Sequence, residues 1–370
     1  MPVKASSAEN RGSHPAKPLR GGFGPSLSQW LERLPLRMLA GRLVAIPVSI
    51  FAVVSLAFWL IRLSGTNAAA EIAGAYADAD TIAKIEHQLG LDQSLWAQYL
   101  SFMKGLLHGD LGVSYFTHRP LSHEIFARLP LDLTIGVLAL LVAVVVGVGM
   151  GTLGAYYRAQ AVDGVMRVIV SVLQSLPDYV FALLLVYGFF YVLGVAPAPI
   201  GQLPMRMQAP DGPSGVALID GLMHGDGSVV WAALRQLALP VFSYGLVLSA
   251  VFARVTRMSI SQTLGSGQVL YARACGLTHW RIFCSVLVTT RTAILTTVAV
   301  VAGAIIGGGA IMQKIYNLDG AAAFGVDSIF KFDMPVIQGV VIVFASLSIV
   351  AYLLIDMLIL LLDPRVRQKS

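Results

Sequence analysis

The sequence predicts an all-α, polytopic membrane protein, and its composition and long apolar runs are the observations that predict it. Of the 370 residues, 56% are hydrophobic and only 12% are charged, whereas soluble domains carry about 25% charged residues. The mean hydropathy of +0.74 agrees with this bias. Six stretches reach the roughly 20 apolar residues that a membrane-spanning helix needs. The composition therefore excludes a disordered chain, a collagen-like chain and an ordinary cytosolic enzyme.

The six predicted spans differ in how continuous their apolar runs are. The second is the longest uninterrupted run, Pro177 and Asp178 interrupt the third, and Pro240 lies in the short fourth. No period-two alternation persists, so a transmembrane β-barrel is not expected. The predicted spans are Leu43–Ile61, Leu133–Tyr157, Val168–Val195, Leu237–Val255, Val286–Met312 and Val336–Leu362.

The segments outside the spans differ from one another in composition. Residues 1–36 are rich in Ser, Pro, Gly and basic residues, which is typical of a flexible tail. Residues 62–132 contain two amphipathic patterns, one with a capping signal at Asp80-Thr81 and one over Leu95–Leu106, and predict a small outer cap. The other segments are an outer loop rich in Pro and Gly (196–236), a long inner loop (256–285) and a short tail (368–370), so that 37–367 form one transmembrane domain.

The distribution of charge predicts the orientation of the spans. Most of the 26 Lys and Arg residues fall in the N-terminal segment, the loops after the second and fourth spans, and the C-terminal tail. Most of the 20 acidic residues fall in the alternate segments. Because basic residues accumulate on the cytoplasmic face, we expect both termini in the cytoplasm of a bacterium, with the chain in its plasma (inner) membrane. The same distribution accounts for the pI near 9.4 without a nucleic-acid partner.

Glycine-rich strings in the spans favour helix packing over cofactor binding. Gly149-x-Gly151-x-x-Gly154 matches the dinucleotide fingerprint as a string, but that motif requires a strand before it and a helix after it. Here the string lies inside the second span, where small residues recur every four positions, as in closely packed membrane helices. Helix-packing contacts are therefore predicted at Gly147, Gly151, Gly303 and Gly307.

The sequence offers no motif for catalysis, for metal ligation or for nucleotide binding. The string GxxxxGK[ST] does not occur, so ATP binding through a P-loop is not expected. The seven His residues lack the spacing of metal ligands. The two cysteines, Cys275 and Cys284, are too few for a disulfide framework and are expected to be free thiols. We therefore expect this chain to hold no cofactor and no catalytic residue.

Two acidic residues fall within predicted spans, where an ionisable group is costly and requires an explanation. Asp178 follows Pro177, which frees a backbone carbonyl in the preceding turn, so this pair could line a water-filled substrate path. The alternative is that Asp178 lies at a helix end or pairs with a neighbouring span. Asp356 in the last span is either an interhelical partner or a further pathway residue.

The most informative segment is the inner stretch Arg254–Arg291, which is too long for a tight turn. A short helix over Gln268–Cys275 would end at Gly276, and Thr278 could cap a second helix that runs on into the fifth span. Two such helices lying on the inner face would form a rigid lever. A soluble partner that grips the short helix could then move the attached spans, whereas the alternative is an ordinary solvated loop.

Residues 272–277 read Ala-Arg-Ala-Cys-Gly-Leu and resemble the core of the EAA loop of ABC import permeases. In the dipeptide/oligopeptide/nickel branch of that family the core commonly reads Ala-Arg-Ala-Lys-Gly-Leu. The resemblance covers about residues 40–367 and is specific to the first of the two permease subunits of a peptide-type importer. The other segments that are similar to this branch are 89–115, 127–141, 332–341 and 362–367.

The resemblance implies the type I importer permease fold, with a cytoplasmic coupling helix that docks in a groove of an ATPase subunit. The chain departs from the family pattern at Cys275, which replaces Lys, and at Leu270, the first residue of the EAA triplet. Gln313 and Asp319-Gly320 replace a Glu and a Pro-Gly turn, and the usual Pro-Gly-Asp-Pro is missing after the first span. The coupling role would fall on Leu270, Tyr271, Ala272, Arg273, Ala274, Gly276 and Leu277.

The resemblance also implies partners and a cargo. The expected partners are a homologous second permease subunit, two ABC ATPase subunits that bind ATP and Mg, an extracytoplasmic substrate-binding protein, and membrane lipid. Dipeptides or oligopeptides are the expected cargo, with nickel, glutathione and opine-type compounds as alternatives. An ion-coupled secondary transporter would show internal repeats and further broken helices, and an intramembrane enzyme would need a paired nucleophile and base, so both are weaker readings of this sequence.

Overall fold

The computed structural model describes residues 36–63, 68–73, 77–158 and 160–362. The predicted tail over residues 1–36, apart from its last residue, and the predicted C-terminal tail lie outside these ranges. The chain divides into two compact units, Met1–Leu43 and Val44–Ser370. Every side-chain contact below lies within the second unit.

Within the described ranges the chain is helical and contains no β-strand, only an isolated antiparallel bridge between Val113 and Pro120. A π-helical turn, Val186–Val192, follows α7 directly. The helices are α1 (Leu36–Leu63), α2 (Ala68–Ala73), α3 (Ala79–Gln88), α4 (Leu95–Leu107), α5 (Leu121–Tyr156), α6 (Ala161–Ser175), α7 (Asp178–Leu185), α8 (Ala217–His224), α9 (Gly227–Leu264), α10 (Gly267–Ala274), α11 (His279–Gly308), α12 (Ala310–Ile315), α13 (Ala321–Phe330) and α14 (Met334–Leu362).

Five of the described helices, α1, α5, α9, α11 and α14, are long and apolar enough to cross a membrane. A sixth span is formed if α6 and α7, with the π-helical turn, are taken together across their 107° bend. The all-α, multispan fold class is therefore confirmed. The bend lies at Pro177, where the sequence predicted an interruption, because this proline and Leu176 before it both adopt extended backbone conformations.

Two spans begin well before their predicted bounds because polar residues at their N-terminal ends are paired. Helix α5 begins at Leu121, and Glu124 in its first turn accepts from the Arg128 guanidinium at 2.5 Å. Helix α9 begins at Gly227, where the Asp226 carboxylate accepts from the backbone N–H groups of Ser228 and Val229. The hydrogen bond from the Ser228 hydroxyl, together with those from the backbone, lowers the pKa of Asp226. A prediction based on the length of apolar runs ends the span at these charged residues, because the sequence does not show that their charges are paired.

The hydrophobic core lies where α5 and α9 pack along their length, with α11 against them. Its fully buried members include Ala139 and Ala143 on α5 and Phe252 on α9. The α5 positions are small, so the two helix backbones approach closely. This helix pair forms the frame against which the other described elements are placed.

The outer cap is attached to the first span by aromatic side chains. Trp59 and Phe58 of α1 meet Trp96 and Tyr99 of α4 at ring-centroid distances of 5.2 to 5.8 Å, and the Ser55 and Tyr99 hydroxyls are 2.8 Å apart. Such edge-to-face pairs stabilise a contact beyond the burial of area alone. The two amphipathic cap helices are present as α3 and α4.

The capping residue of the first cap helix differs from the expected one. Asp78, not Asp80, is the N-cap of α3, and its carboxylate accepts from the backbone N–H of Thr81 at 3.1 Å. Hydrogen bonds from Thr81 lower the pKa of Asp78. Asp78 and Asp80 both precede the same apolar pattern, and either could serve as the N-cap. The sequence pattern alone therefore does not distinguish between them.

Candidate functional site

Helix α10 is a short helix that buries its valine and leaves a leucine and a tyrosine uncovered. Val269 is only 6% exposed and packs with Ala155, Ile260 and Val286 of the neighbouring elements. The next residues, Leu270 and Tyr271, are 71% and 73% exposed. Anchoring by one buried valine therefore holds a rigid helix whose outer face presents a leucine and a tyrosine.

The ends of α10 are set by backbone geometry. Gly276 has φ +73°, a left-handed conformation that favours glycine, and Leu277 N–H donates to the Ala272 carbonyl at 3.1 Å to close the helix. Helix α11 begins directly after Thr278, whose carbonyl accepts from Ile282 N–H. Thr278 occupies the predicted N-cap position, but its hydroxyl makes no capping hydrogen bond there.

The remaining residues of the predicted coupling segment lie on the same short element. Arg273, Ala274 and Leu277 are exposed, and Ala272 is half-buried where it packs against the cluster around Val269. The segment therefore brings together an apolar pair, an arginine and a glycine turn on one surface. The free cysteines differ in burial, since Cys275 is exposed beside the turn and Cys284 is half-buried.

The structure places Pro177 and Asp178 at the sharp break between α6 and α7. Pro177 is exposed and occupies the N-cap position of α7. Asp178 is half-buried in the first turn of α7, and its carboxylate accepts from the backbone N–H of Tyr179 at 2.9 Å. A carboxylate is favourable at this helix N-terminus. Asp356 lies on α14, and its side chain is outside the part of the chain that the structure describes.

The four glycines assigned to packing behave differently. A Cβ atom at Gly147 or Gly151 would fall within 3 Å of the α9 backbone, so glycine permits the close α5–α9 approach. At Gly303 a Cβ would collide with the Tyr352 ring of α14. A Cβ at Gly307 would meet no heavy atom within 4 Å among the described residues, so the packing contact expected there is not made.

A buried ion pair that sequence reasoning missed joins α6 to α9. Asp163 is 2% exposed and accepts from Arg257 at two positions, 2.6 Å to Nε and 2.9 Å to Nη2. Arg167 lies one turn further along α6, with its Nε 3.6 Å from the same carboxylate. Asp163 and Arg257 are 94 residues apart in the chain. No local pattern could have paired them.

A second unanticipated network surrounds Asp132 on α5. Its carboxylate accepts from the Gln313 amide at 2.8 Å and from the Ala321 and Ala322 N–H groups at 2.6 and 3.2 Å. The carboxylate thereby caps α13, while Gln313, 5% exposed, is held between α5 and α13. In the sequence Gln313 differs from the family pattern, but nothing there indicates its contact with Asp132. No sequence motif marks Asp132 as a functional or structural site.

Metal ligation finds no support in the described part of the chain. No group of three or more His, Cys, Asp or Glu side chains there could hold a metal ion. The polar clusters that do occur are closed by guanidinium, amide and backbone donors.

The described part of the chain has five spans, or six with the bent α6–α7 pair, a tight α5–α9 contact and a short exposed helix between two spans, which define a polytopic helical membrane protein. Comparison with known families agrees. The model of the binding-protein-dependent transport system inner membrane component matches residues 137–368, and the model of the N-terminal part of such components matches residues 35–136. The chain belongs to this family.

Curated relatives extend over most of the chain. The di/tripeptide transport system permease of Pseudomonas aeruginosa is 31% identical over 90% of this chain and 99% of its own length. The probable D,D-dipeptide transport system permease of Escherichia coli is 30% identical, covering 80% of this chain and 87% of the relative. The dipeptide transport system permease of Alkalihalophilus pseudofirmus is 29% identical, covering 88% and 97%.

Proposed function

We propose that this chain is the permease subunit of an ATP-driven importer and that α10 is its coupling helix. The observation that carries the proposal is the contrast between buried Val269 and its neighbours Leu270 and Tyr271, which are exposed on a helix whose ends are rigidly set. A surface helix of a protein without a partner there would present polar side chains. The exposed pair is therefore suited to a groove on a soluble subunit.

Burial of Leu270 and Tyr271 in a partner's groove would supply free energy of the order that a conformational switch of the spans requires. Burying a leucine and a tyrosine contributes roughly 1.5–3 kcal/mol each. Moving a two-state equilibrium from 1:99 to 99:1 requires about 5.5 kcal/mol of differential affinity. One docked helix thus supplies free energy of the same order as the shift between inward-open and outward-open states. Val269 joins α10 to α9 and α11, so a displacement of α10 reaches two spans directly.

The partners follow from the family. A binding-protein-dependent component works with an extracytoplasmic substrate-binding protein, and we infer a homologous second permease and two ATPase subunits, which bind ATP and Mg. In the proposed orientation α10 and both chain termini face the cytoplasm, as the distribution of basic residues favours. This chain contributes half of the path and no bond-making chemistry.

The proposed cargo is a dipeptide or short oligopeptide, because the relatives described above are named for peptide transport. Nickel, glutathione and opine-type compounds remain the alternatives. Growth of a strain with and without this chain, on defined dipeptides or under nickel limitation, separates them. A growth defect on dipeptides alone supports the proposal, and a defect confined to nickel limitation contradicts it.

Substitution of the exposed pair tests the coupling role. The double variant Leu270→Ala/Tyr271→Ala is expected to lose co-purification of the ATPase subunits and most ATP-dependent uptake, because it removes the apolar contact and leaves Val269 in place. Gly276→Pro should act similarly, since proline does not adopt the φ of +73° found there.

The matched control is Leu107→Ala, which truncates an 87%-exposed leucine at the end of α4 in the outer cap. It should leave both ATPase co-purification and uptake unchanged. Retention of ATPase subunits at the control level by the double variant would show that α10 is not the coupling helix.

A further inference from the structure

Two adjoining basic cavities lie along the last turns of α9, beside the turn that leads into α10. A cavity of about 540 Å³ lies between α5, α6 and α9, and one of about 390 Å³ adjoins it towards Gly265. Both are lined by Arg257 and Met258. We name this pair of cavities the inner groove. The arginines that line it are Arg158, Arg167, Arg254 and Arg257.

The charge of the inner groove is not balanced within the chain. No acidic residue lines either cavity in the part of the chain that the structure describes. The buried Asp163 carboxylate, which lines neither cavity, accepts from Arg257 and lies 3.6 Å from Arg167. The exposed guanidinium groups of Arg158 and Arg254 have no ion-pair partner among the described residues. Two of the four guanidinium groups, those of Arg167 and Arg257, share the Asp163 carboxylate, and the other two are unpaired among the described residues, which leaves a positive groove.

The remaining wall of the inner groove combines adaptable apolar side chains with uncharged polar ones. Met150, Met166 and Val170 line the larger cavity, and Met258 lies between the two cavities. Methionine side chains are flexible and fit irregular apolar ligands. In the smaller cavity the Ser261 hydroxyl is buried without a hydrogen-bond partner. A buried polar atom of this kind usually has a partner, so the orphaned hydroxyl is consistent with a ligand that accepts or donates there.

In the proposed orientation, the inner groove lies near the cytoplasmic ends of α5 and α9. Arg158 follows the end of α5 at Tyr156, and Arg257 lies about 10 Å of helix rise before the end of α9 at Leu264. Guanidinium groups at the ends of two spans, beside an apolar wall, match the phosphate and the adjoining acyl chains of a phospholipid. Basic pockets between spans on the cytoplasmic side are typical sites for anionic headgroups.

We propose that the inner groove binds the headgroup of an anionic phospholipid, with phosphate oxygens accepting from Arg158 and Arg254. The two adjoining cavities on either side of Arg257 suit the two phosphates of cardiolipin best. A zwitterionic peptide cargo fits less well, because the groove offers no carboxylate for its ammonium group. The assignment to the cytoplasmic leaflet rests on the proposed function, which places α10 on that side.

The test measures lipid retention by the assembled transporter. The complex is reconstituted in nanodiscs of phosphatidylcholine with 10 mol% cardiolipin, re-extracted, and its bound lipid quantified by native mass spectrometry. The double variant Arg158→Gln/Arg254→Gln should retain about thirtyfold less cardiolipin, since each arginine near an anionic surface contributes about 1 kcal/mol, or roughly fivefold. Both residues are exposed, and the buried Asp163–Arg257 pair is untouched, so folding should be preserved.

The matched control is Arg235→Gln, an exposed arginine near the opposite end of α9, which should retain cardiolipin as the unmodified complex does. Equal cardiolipin retention by the double variant and the control overturns the proposal, as does phosphatidylcholine retained as well as cardiolipin. The proposal is also overturned if the double variant retains cardiolipin but takes up peptides with a free carboxylate more poorly than peptide amides, because the groove would then serve the cargo.

Failure of the proposed function is distinguishable from failure of this inference. The Leu270→Ala/Tyr271→Ala variant should lose its ATPase subunits and keep its cardiolipin. If that variant still couples while Arg158→Gln/Arg254→Gln loses lipid, only the coupling assignment is wrong.

Discussion

At the scale of single residues, the close approach of α5 to α9 requires glycine, which has no side chain, at the contact positions of α5. A Cβ on Gly151 would lie 2.6 Å from the Ala253 carbonyl oxygen and 2.7 Å from the Thr256 Cβ. The first of these is a backbone atom, so the conflict is not relieved by rotating a side chain. Two residues earlier, a Cβ on Gly149 would meet no heavy atom within 4 Å among the described residues. The two glycines therefore form a matched pair on one helix.

Gly151→Ala is expected to destabilise the protein by about 1–3 kcal/mol, because overpacking forces the two helix backbones apart. Gly149→Ala, with no neighbour to meet, should change stability by less than about 0.5 kcal/mol. Thermal unfolding of the detergent-solubilised complex, followed by tryptophan fluorescence, measures the difference. Equal melting temperatures for the two variants would show that the helices are not in contact at Gly151.

At the scale of elements, the Asp132 carboxylate of α5 helps to hold the segment between α11 and α14, in addition to the Arg128–Asp319 ion pair and apolar packing between these elements. Asp132 accepts from the Gln313 side chain of α12 and from the first N–H groups of α13. Three donors converge on two oxygens, so the acceptor must present oxygen on both sides. The N-terminus of α13 is therefore fixed in part by a residue of a different helix, Asp132 of α5.

Asp132→Asn replaces one carboxylate oxygen with an NH2 group, which cannot accept the hydrogen bonds that this oxygen accepts. We expect a loss of roughly 1–3 kcal/mol from the unsatisfied donors and faster hydrogen exchange at Ala321 and Ala322. Asp319→Asn is the control, since this exposed carboxylate pairs with Arg128 at the surface, where such pairs contribute about 0–1 kcal/mol. Unchanged exchange at α13 in Asp132→Asn would contradict the capping role.

At the scale of the whole molecule, alternating access requires that packed helices move as rigid bodies between two arrangements. The break between α6 and α7 is the one sharp bend among the apolar segments that the structure describes, and Asp178 lies at it. The Asp163–Arg257 pair holds the N-terminal end of α6 to α9. Movement at the bend can therefore displace α7 while α6 stays with α9.

Asp178→Asn keeps the size of the side chain and its capping oxygen but removes the charge, so the fold should be retained. If Asp178 contacts cargo or water in the path, ATP-dependent uptake should fall about tenfold, the equivalent of one charge-assisted hydrogen bond. Uptake assays in proteoliposomes, with melting temperature as the folding control, measure this. Unchanged uptake for every cargo tested would remove Asp178 from the path and leave it with a helix-capping role only.

The local pattern of the chain determined much of this molecule. Apolar run length identified the spans, Pro177 located the break, and the turn at Gly276 predicted α10 within one residue of its observed end. These features could be predicted because chain connectivity brings together the residues that produce them. A span is apolar by itself, and a left-handed turn requires its glycine wherever the helix goes.

Only the tertiary structure decided which distant groups meet. The pairs Asp163–Arg257 and Asp132–Gln313 depend on the rotation and register of α5, α6 and α9, and a shift of one residue along a helix turns a side chain by about 100°. The rotation of α10 about its own axis exposes Leu270 and Tyr271 while burying Val269. The rotations of α6 and α9 bring arginines from both helices to one groove. Helix rotation is set by close packing at glycines such as Gly147 and Gly151, and packing is a property of two surfaces that no single segment contains.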